Sequence, residues 1–378
     1  MEKILYVKKK VGKSYLLWFQ NSNLFFYLEE PAWFVFRKVV NRNKSETIAK
    51  EFCHRYSLSY EDSFKFVVEI RQQIEEMNRP LTAKRYFETH KDEINKHVYH
   101  ASSKHCYNMF NKEIVFSYET LHLENYIHPM VSYLKTNSNS TVKSYFELFN
   151  YKNRVILRVN GELKGSWTKN ESEFVKGRIF VELINEIHNK KQSDWLMTVH
   201  ASAISNGIKT ILFSASPGSG KTTIAAILKA HGYQIISDDF VAIEQSSFNA
   251  YPLPIAMSIK EGSLELLKPY FPELNNYPLV IVNSQKKVKY LPVEDKMMKM
   301  IFPVNEFVFI KYDKSVDFKL EKIEPMKALN RLLNEAWIPG TPENIRIFFD
   351  RILKASYYSL TYSNNEKALD AINKLFQK

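Results

Sequence analysis

The feature that most constrains this chain is the stretch Lys209–Glu244, KTILFSASPGSGKTTIAAILKAHGYQIISDDFVAIE. Thr210–Ser214 suits a short buried strand, and Ser216–Thr223 (SPGSGKTT) breaks it with one proline and two glycines. Ile224, Leu228 and the alanines between them favour a helix, which His231-Gly232 ends. A second apolar run, Tyr233–Ile236, leads into Ser237-Asp238-Asp239. Strand, glycine-bearing turn, helix and strand in this order predict an α/β unit.

The turn follows the phosphate-cradling pattern G-x-x-x-x-G-K-[ST], except that Ala215 stands at the first glycine. Gly218 and Gly220 let the backbone close around a phosphate, at which successive N–H groups and the positive helix end point. The expected cradle is Ser216, Pro217, Gly218, Ser219, Gly220, Lys221, Thr222 and Thr223. Lys221 can reach the β- and γ-phosphates, and Thr222 offers a hydroxyl to Mg²⁺. A Gly/Ser loop can match this pattern by chance. The strand before it, the helix after it and the acidic pair downstream all favour a nucleotide-phosphate site, with ATP or another nucleoside triphosphate and Mg²⁺ as the implied cofactors.

His200-Ala201-Ser202, then Gly218–Thr223, then Ser237-Asp238-Asp239 together resemble the HPr serine kinase/phosphorylase superfamily, in the branch associated with peptide modification. Pro252-Leu253-Pro254 and Ser258–Ser263 are also similar to that branch, and the resemblance runs from about His200 to the C-terminus. It implies an ATP-dependent kinase with serine as the acceptor. Asp238 would accept or orient the hydroxyl, and Asp239 would join Thr222 on Mg²⁺. The histidine of the family's site would be His200, which could hold Asp238 or touch the phosphates; a lone histidine at a strand start is otherwise structural. Lys260 is a candidate cation for the transferring phosphoryl, with a solvated lysine as the alternative. The glycine-rich signature that follows the aspartates in HPr kinases proper is not found here. The resemblance therefore carries neither HPr as the substrate nor the reverse, phosphorylase reaction.

The 378 residues suffice for two or three domains. Two cysteines, Cys53 and Cys106, lack metal-type spacing and read as reduced thiols. The first residues do not fit a secretory signal, and no apolar run approaches a membrane span, so a cytoplasmic protein is expected. The net charge of +12 is spread over short clusters, each of which reads as solvated surface; an acidic partner is compatible with it, and nucleic acid stays open on charge alone.

Residues 4–28 alternate through two turn signals and predict a three-stranded meander; helical patterns follow at Pro31–Val40, Ser45–Tyr56 (Ser45 a candidate cap) and Ser59–Met77. In order and size this resembles the PqqD-type peptide-recognition module, in which a leader peptide adds a strand to the sheet edge. A plain winged helix used for packing or DNA contact is the other reading.

Residues 81–109 read as a polar connector, whose His90, His97, His100 and His105 have irregular spacing and no acidic partner in register. Residues 110–190 read as a small β-rich lobe with a hairpin at Asn160-Gly161 and a helix over Glu171–His188. Later helices are expected at Lys260–Tyr270, Pro325–Ala336, Asn344–Ser356 and Glu366–Phe376, with Arg331 and Glu335 as a surface pair.

The expected architecture is thus α/β: a P-loop kinase core of HPr kinase type at 191–378, preceded by the lobe at 110–190 and an N-terminal winged-helix-like β3α3 module at 1–80. The expected activity is phosphorylation of a serine on a leader-bearing ribosomal precursor peptide. A serine kinase of a folded protein partner, a non-catalytic nucleotide-binding peptide chaperone and a DNA-binding regulator are the alternatives. Other peptide-modifying enzymes and further copies of this chain are candidate partners.

Overall fold

A computed structural model describes residues 4–80, 85–137, 143–216, 218–283, 286–293 and 302–377. Two compact units divide the chain, the first comprising Met1–Tyr86 with Pro339–Asp350, the second Phe87–Ile338 with Arg351–Lys378.

In the first unit β1 (Tyr6–Val11), β2 (Ser14–Phe19) and β3 (Leu24–Leu28) form an antiparallel meander with β2 in the centre. Helices α1 (Glu30–Val40), α2 (Ser45–Tyr56) and α3 (Tyr60–Met77) cover one face. Leu17, Phe19, Trp33, Phe36, Val39, Ile48, Phe52, Val67 and Ile74 make the core, the helical members recurring at intervals of three and four as a buried stripe requires. Ser59 caps α3, its Oγ accepting the Asp62 N–H at 3.0 Å. The cap expected at Ser45 is not formed: Lys44 holds that position and Ser45 is already helical. Pro339–Asp350 completes the unit, with Phe25 of β3 against the rings of Phe348 (5.7 Å) and Phe349 (6.1 Å) and an ion pair between Lys9 and Asp350.

The second unit begins with α4 (Arg85–Lys96), whose last residues follow the unit boundary. A five-stranded sheet comes next, built from β4 (Ser103–Met109), β5 (Lys112–Tyr118), β6 (Lys143–Tyr151), β7 (Arg154–Val159) and β8 (Glu162–Thr168) in that spatial order. Short helices α5 (Leu121–Glu124) and α6 (His128–Val131) lie in the crossover between β5 and β6, which pair in parallel. The stretch expected as a connector therefore holds a helix and a strand. As an edge strand β4 has a full strand partner on one side only, with a single bridge from Tyr107 to Lys135 on the other, which fits its polar residues. Helix α7 (Ser172–His188) packs on this sheet, and its Val175, Ile179, Leu183 and Ile184 share one core with Trp195, Phe240, Leu253 and Ile255. The lobe and the residues after 190 thus share apolar packing.

The remaining strands are β9 (Trp195–Val199), β10 (Ala201–Ser205), β11 (Thr210–Ser214), β12 (Gln234–Ser237), β13 (Val241–Glu244), β14 (Asn249–Tyr251), β15 (Met257–Lys260), β16 (Val280–Asn283), β17 (Lys286–Leu291), β18 (Phe302–Tyr312), β19 (Phe318–Ile323), β20 (Ala336–Trp337) and β21 (Ser356–Tyr362). Helices α8 (Lys221–Ala230), α9 (Leu264–Leu267), α10 (Pro325–Glu335), α11 (Pro342–Ile352) and α12 (Asn365–Gln377) are interspersed. The main sheet runs β12-β10-β11-β18-β14-β13-β9-β20, with β21 on β18 and β19 on β21. It is mixed: β11, β18 and β21 are parallel, but β10 folds back on β11 as a hairpin. Because β10 is antiparallel to both neighbours, β11 and β12 still run the same way and end on the same side. That shared end brings the glycine turn and the aspartates together. The helix expected over Lys260–Tyr270 shrinks to a 3-10 turn at Glu261–Ser263 followed by the one-turn α9, which Pro269 helps to close. No described helix is long and apolar enough to cross a membrane.

Candidate functional site

Strand β11 is wholly buried, as a strand between two neighbours should be, and delivers the turn to the end of the sheet. Gly218 and Gly220 have φ of 90° and 89°, a left-handed backbone that side chains rarely adopt, and this turns the peptide groups between them. The turn is anchored from β18, where the Tyr312 N–H donates to the Ser219 carbonyl at 3.0 Å. Pro217 lies outside the described residues. Lys221 opens α8, buried, and the Thr223 Oγ1 meets the Ser263 Oγ at 2.8 Å. The Lys260 ammonium lies over the turn, 4.0 Å from where a Cβ on Gly218 would stand.

The two aspartates at the end of β12 occupy different environments. Asp238 is 1% exposed; it accepts hydrogen bonds from the Ser202 Oγ and, at 3.2 Å, from the Thr222 Oγ1. Burial, and then the Asp239 charge, push its carboxyl up from the ordinary carboxylate range. Asp239 has φ of 67°, a left-handed backbone tolerated by aspartate, and its side chain is 27% exposed. It accepts from the Lys221 Nζ at 2.6 Å, and the His200 Nε2 stands 3.5 Å away. Burial pushes the Asp239 carboxyl up, but the Lys221 ammonium and His200 outweigh it and hold the group well below its usual range. Burial pulls Lys221 down, and the two aspartates more than reverse this, so the ammonium form is favoured.

His200 sits where the chain passes from β9 to β10. Its backbone N–H donates to the Glu335 carbonyl at 2.7 Å, and its Nδ1 meets the Glu335 Oε2 at 2.9 Å. Its hydrogen bond with Asp239 raises its pKa above the ordinary histidine value, against the opposing effect of burial. Glu335 was expected on the surface beside Arg331. Instead Arg331 reaches the Ser359 Oγ at 3.3 Å and stacks over Phe309, leaving Glu335 to His200. Glu335 reaches this place from 135 residues away because β20, which follows it, pairs with β9 in the register Ala336↔Val199.

These groups face a cavity of about 1010 Å³ lined by Gly218, Lys221, Thr222, Asp239, Lys260, His200 and Glu335. The same cavity is lined by Trp167 of β8, by Phe174, Lys176 and Phe180 of α7, by Tyr290 and by Trp337. Asp238 does not line it. Sequence reasoning gave no site role to Glu335, Lys176 or the serine partners Ser202 and Ser263; the two serines carried a signal, as members of the His-Ala-Ser motif and of the Ser258–Ser263 segment.

The oxygen donors of Thr222 and the adjacent aspartates suit a hard cation such as Mg²⁺. Among the four connector histidines, His105 does acquire an acidic partner: its Nε2 is 2.9 Å from the Glu124 Oε1, and His128 completes a cluster. The rings of His105 and His128 stack at 4.5 Å with 26° between their planes. Two imidazoles sharing a metal must each aim a ring nitrogen in its own plane at one point, which stacked rings do not do. Hydrogen bonds from the Ser103 hydroxyl and His105 to Glu124, and between Tyr107 and His128, account for the cluster. His90 and His97 do not join it: His90 meets Thr89, and His97 packs on Phe149 and Tyr151.

No family model and no curated protein matches the chain. Among solved structures it is similar to the HPr(Ser) kinase/phosphatase from Coxiella burnetii, with 10% identity over 44% of this chain and 78% of that one and a TM-score of 0.19. A TM-score that low carries no argument about fold or activity.

Proposed function

We propose that this chain binds a nucleoside triphosphate with Mg²⁺ and transfers its terminal phosphoryl group to a hydroxyl, most simply that of a serine in a polypeptide. One observation carries the proposal. A glycine turn at a helix start presents Lys221 to Asp239 and Thr222 to Asp238, at a cavity able to hold both a nucleotide and an acceptor. Transfer needs a phosphate cradle, a metal site, a group to take the acceptor proton and a cation for the moving phosphoryl; each has a candidate here.

The roles of the aspartates are best assigned in the order opposite to that implied by the resemblance. Asp238 is enclosed and bonded to Thr222, so it belongs on the metal side; Asp239 faces the cavity and is the group an acceptor hydroxyl can meet. Mg²⁺, when bound, neutralises charge on the phosphates. The acceptor oxygen forms its bond to the γ-phosphorus, the bond to the bridging oxygen breaks, and the hydroxyl proton passes to Asp239. Lys260, over the turn, compensates the charge on the moving group. Lys221 keeps Asp239 a poor base until phosphates draw the ammonium away, so the base is released as the nucleotide arrives. Glu335 and His200 then hold the carboxylate in place.

The first unit is assigned to capture of the acceptor's leader. This rests on β3 lying at the edge of its three-stranded sheet, with Leu24 and Tyr27 exposed. The test is direct: protein, ATP and Mg²⁺ are incubated with candidate precursor peptides, and mass spectrometry reads the gain of phosphate. Nucleotide binding by calorimetry without transfer to any of them would favour the chaperone reading.

A further inference from the structure

We infer that the acceptor is a peptide segment in which the hydroxyl residue stands beside an acidic side chain and an apolar or aromatic one, and that Lys176 and the aromatic wall of the cavity read those neighbours. The inference rests on the phosphotransfer reading above and adds the chemistry of the acceptor to it.

Lys176 is the decisive residue. It sits in the second turn of α7, a helix that belongs to the lobe and not to the phosphate turn, and lines the cavity. Its side chain is only 19% exposed, and its close carboxylate is Glu173 at 3.9 Å, itself 82% exposed and so screened by water. Burial pulls its pKa down, against the opposing charges of Glu173 and Asp239, and Lys286, a second cation on the cavity wall, pulls in the same direction as burial. Two like charges facing a partly desolvated space favour an anion between them. The other cations of the wall are occupied: Lys221 by Asp239, Arg178 by Glu182 at 2.6 Å, and Lys260 lies over the phosphate turn.

The apolar half of the inference comes from the same wall. The Trp167 indole reaches back over Gly165 of its own strand, where a Cβ would stand 2.0 Å from the ring. Glycine two residues before the tryptophan therefore sets the ring where it lines the cavity. Phe174 and Trp337 also line it, yet both keep much of their surface in water. Large rings left exposed around a cavity with unmet positive charge fit an acceptor that brings apolar surface and a carboxylate together.

The experiment uses the full-length protein, Mg·ATP and synthetic peptides carrying one serine. The neighbour on either side is varied among Asp, Gln and Lys, and the next position between Phe and Gly; phosphate gain is read by mass spectrometry. Acidic, Phe-bearing peptides should exceed their lysine counterparts in kcat/KM by tenfold or more. Lys176→Glu, shown to be folded by circular dichroism, should invert that order while leaving nucleotide affinity by calorimetry within about twofold. Phe174→Ala should erase the preference for Phe over Gly. Equal rates across the set overturn the inference. So does a Lys176→Ala variant that loses nucleotide affinity and keeps peptide preference, since the lysine would then serve the triphosphate. Nucleotide binding with no peptide phosphorylated also overturns it while sparing the nucleotide site, whereas absence of nucleotide binding removes the underlying reading itself.

Discussion

Lys221 and Asp239 neutralise one another at 2.6 Å, and most of what can be tested at single residues follows from that pair. Lys221→Ala should lower phosphoryl transfer by about a hundredfold or more, since it deletes the cation on the phosphates. It should do so in a folded protein, and transfer within tenfold of the natural chain would remove the site from consideration. The two aspartates should separate. Asp239→Asn should keep Mg·ATP affinity and lose transfer, whereas Asp238→Asn should weaken the dependence on Mg²⁺ as well. Titration of metal and nucleotide into both variants by calorimetry checks this, and equal loss of metal in the two would contradict the assignment. That the glycine turn and the aspartates would lie together was legible because strand, turn, helix and strand follow one another directly in the sequence. Glu335 was not legible. Its sequence neighbour Arg331, one turn away, offers a plausible partner, and only the pairing of β20 with β9 reveals that His200 takes it instead.

At the scale of elements, strands and helices with strong apolar periodicity were readable, from the meander β1–β3 to the amphipathic α10. What periodicity cannot give is the neighbour. The parallel sense shared by β11 and β12 survives an intervening antiparallel strand, and nothing in the run Ala201–Ser205 announces that β10 will lie between them. Strand β4 was hidden for a related reason: an edge strand needs apolar residues on one face only, and its lysine, histidine and asparagine read as connector. Gly165 shows how an element prepares the site. Gly165→Val should drive the Trp167 indole off the strand, costing about 1–3 kcal/mol of stability as overpacking does. Chemical denaturation measures that cost, and the fluorescence of the displaced indole should change with it. A variant with unaltered stability and emission would mean that the ring does not depend on the glycine.

For the whole molecule, the division into units changes how the N-terminal module can be tested. Deleting residues 1–80 would also strip α11, whose Phe348 and Phe349 pack on Phe25 and whose Ile345 is buried. Such a truncation is expected to aggregate or melt early, so loss of activity in it would say little about peptide capture. Leu24→Asp with Tyr27→Asp in the full chain is the cleaner change, because both side chains are exposed. It should raise the KM for a leader-bearing peptide tenfold or more and leave a leaderless peptide unaffected, as loss of a tether predicts. Identical kinetics with both peptides would assign the module another task. Nothing in the residue pattern announces this interlacing, since an amphipathic helix shows that one face is buried without showing what buries it. The interlacing also sets a clock on synthesis. About 250 residues separate Tyr86 from Pro339, and a ribosome adding roughly 5–20 residues per second needs about 13–50 s to cross them. Throughout that interval the nascent module carries Phe25 without the two rings that will cover it. The module therefore leaves the ribosome well before the segment that completes it, and it is there that a chaperone would find its client.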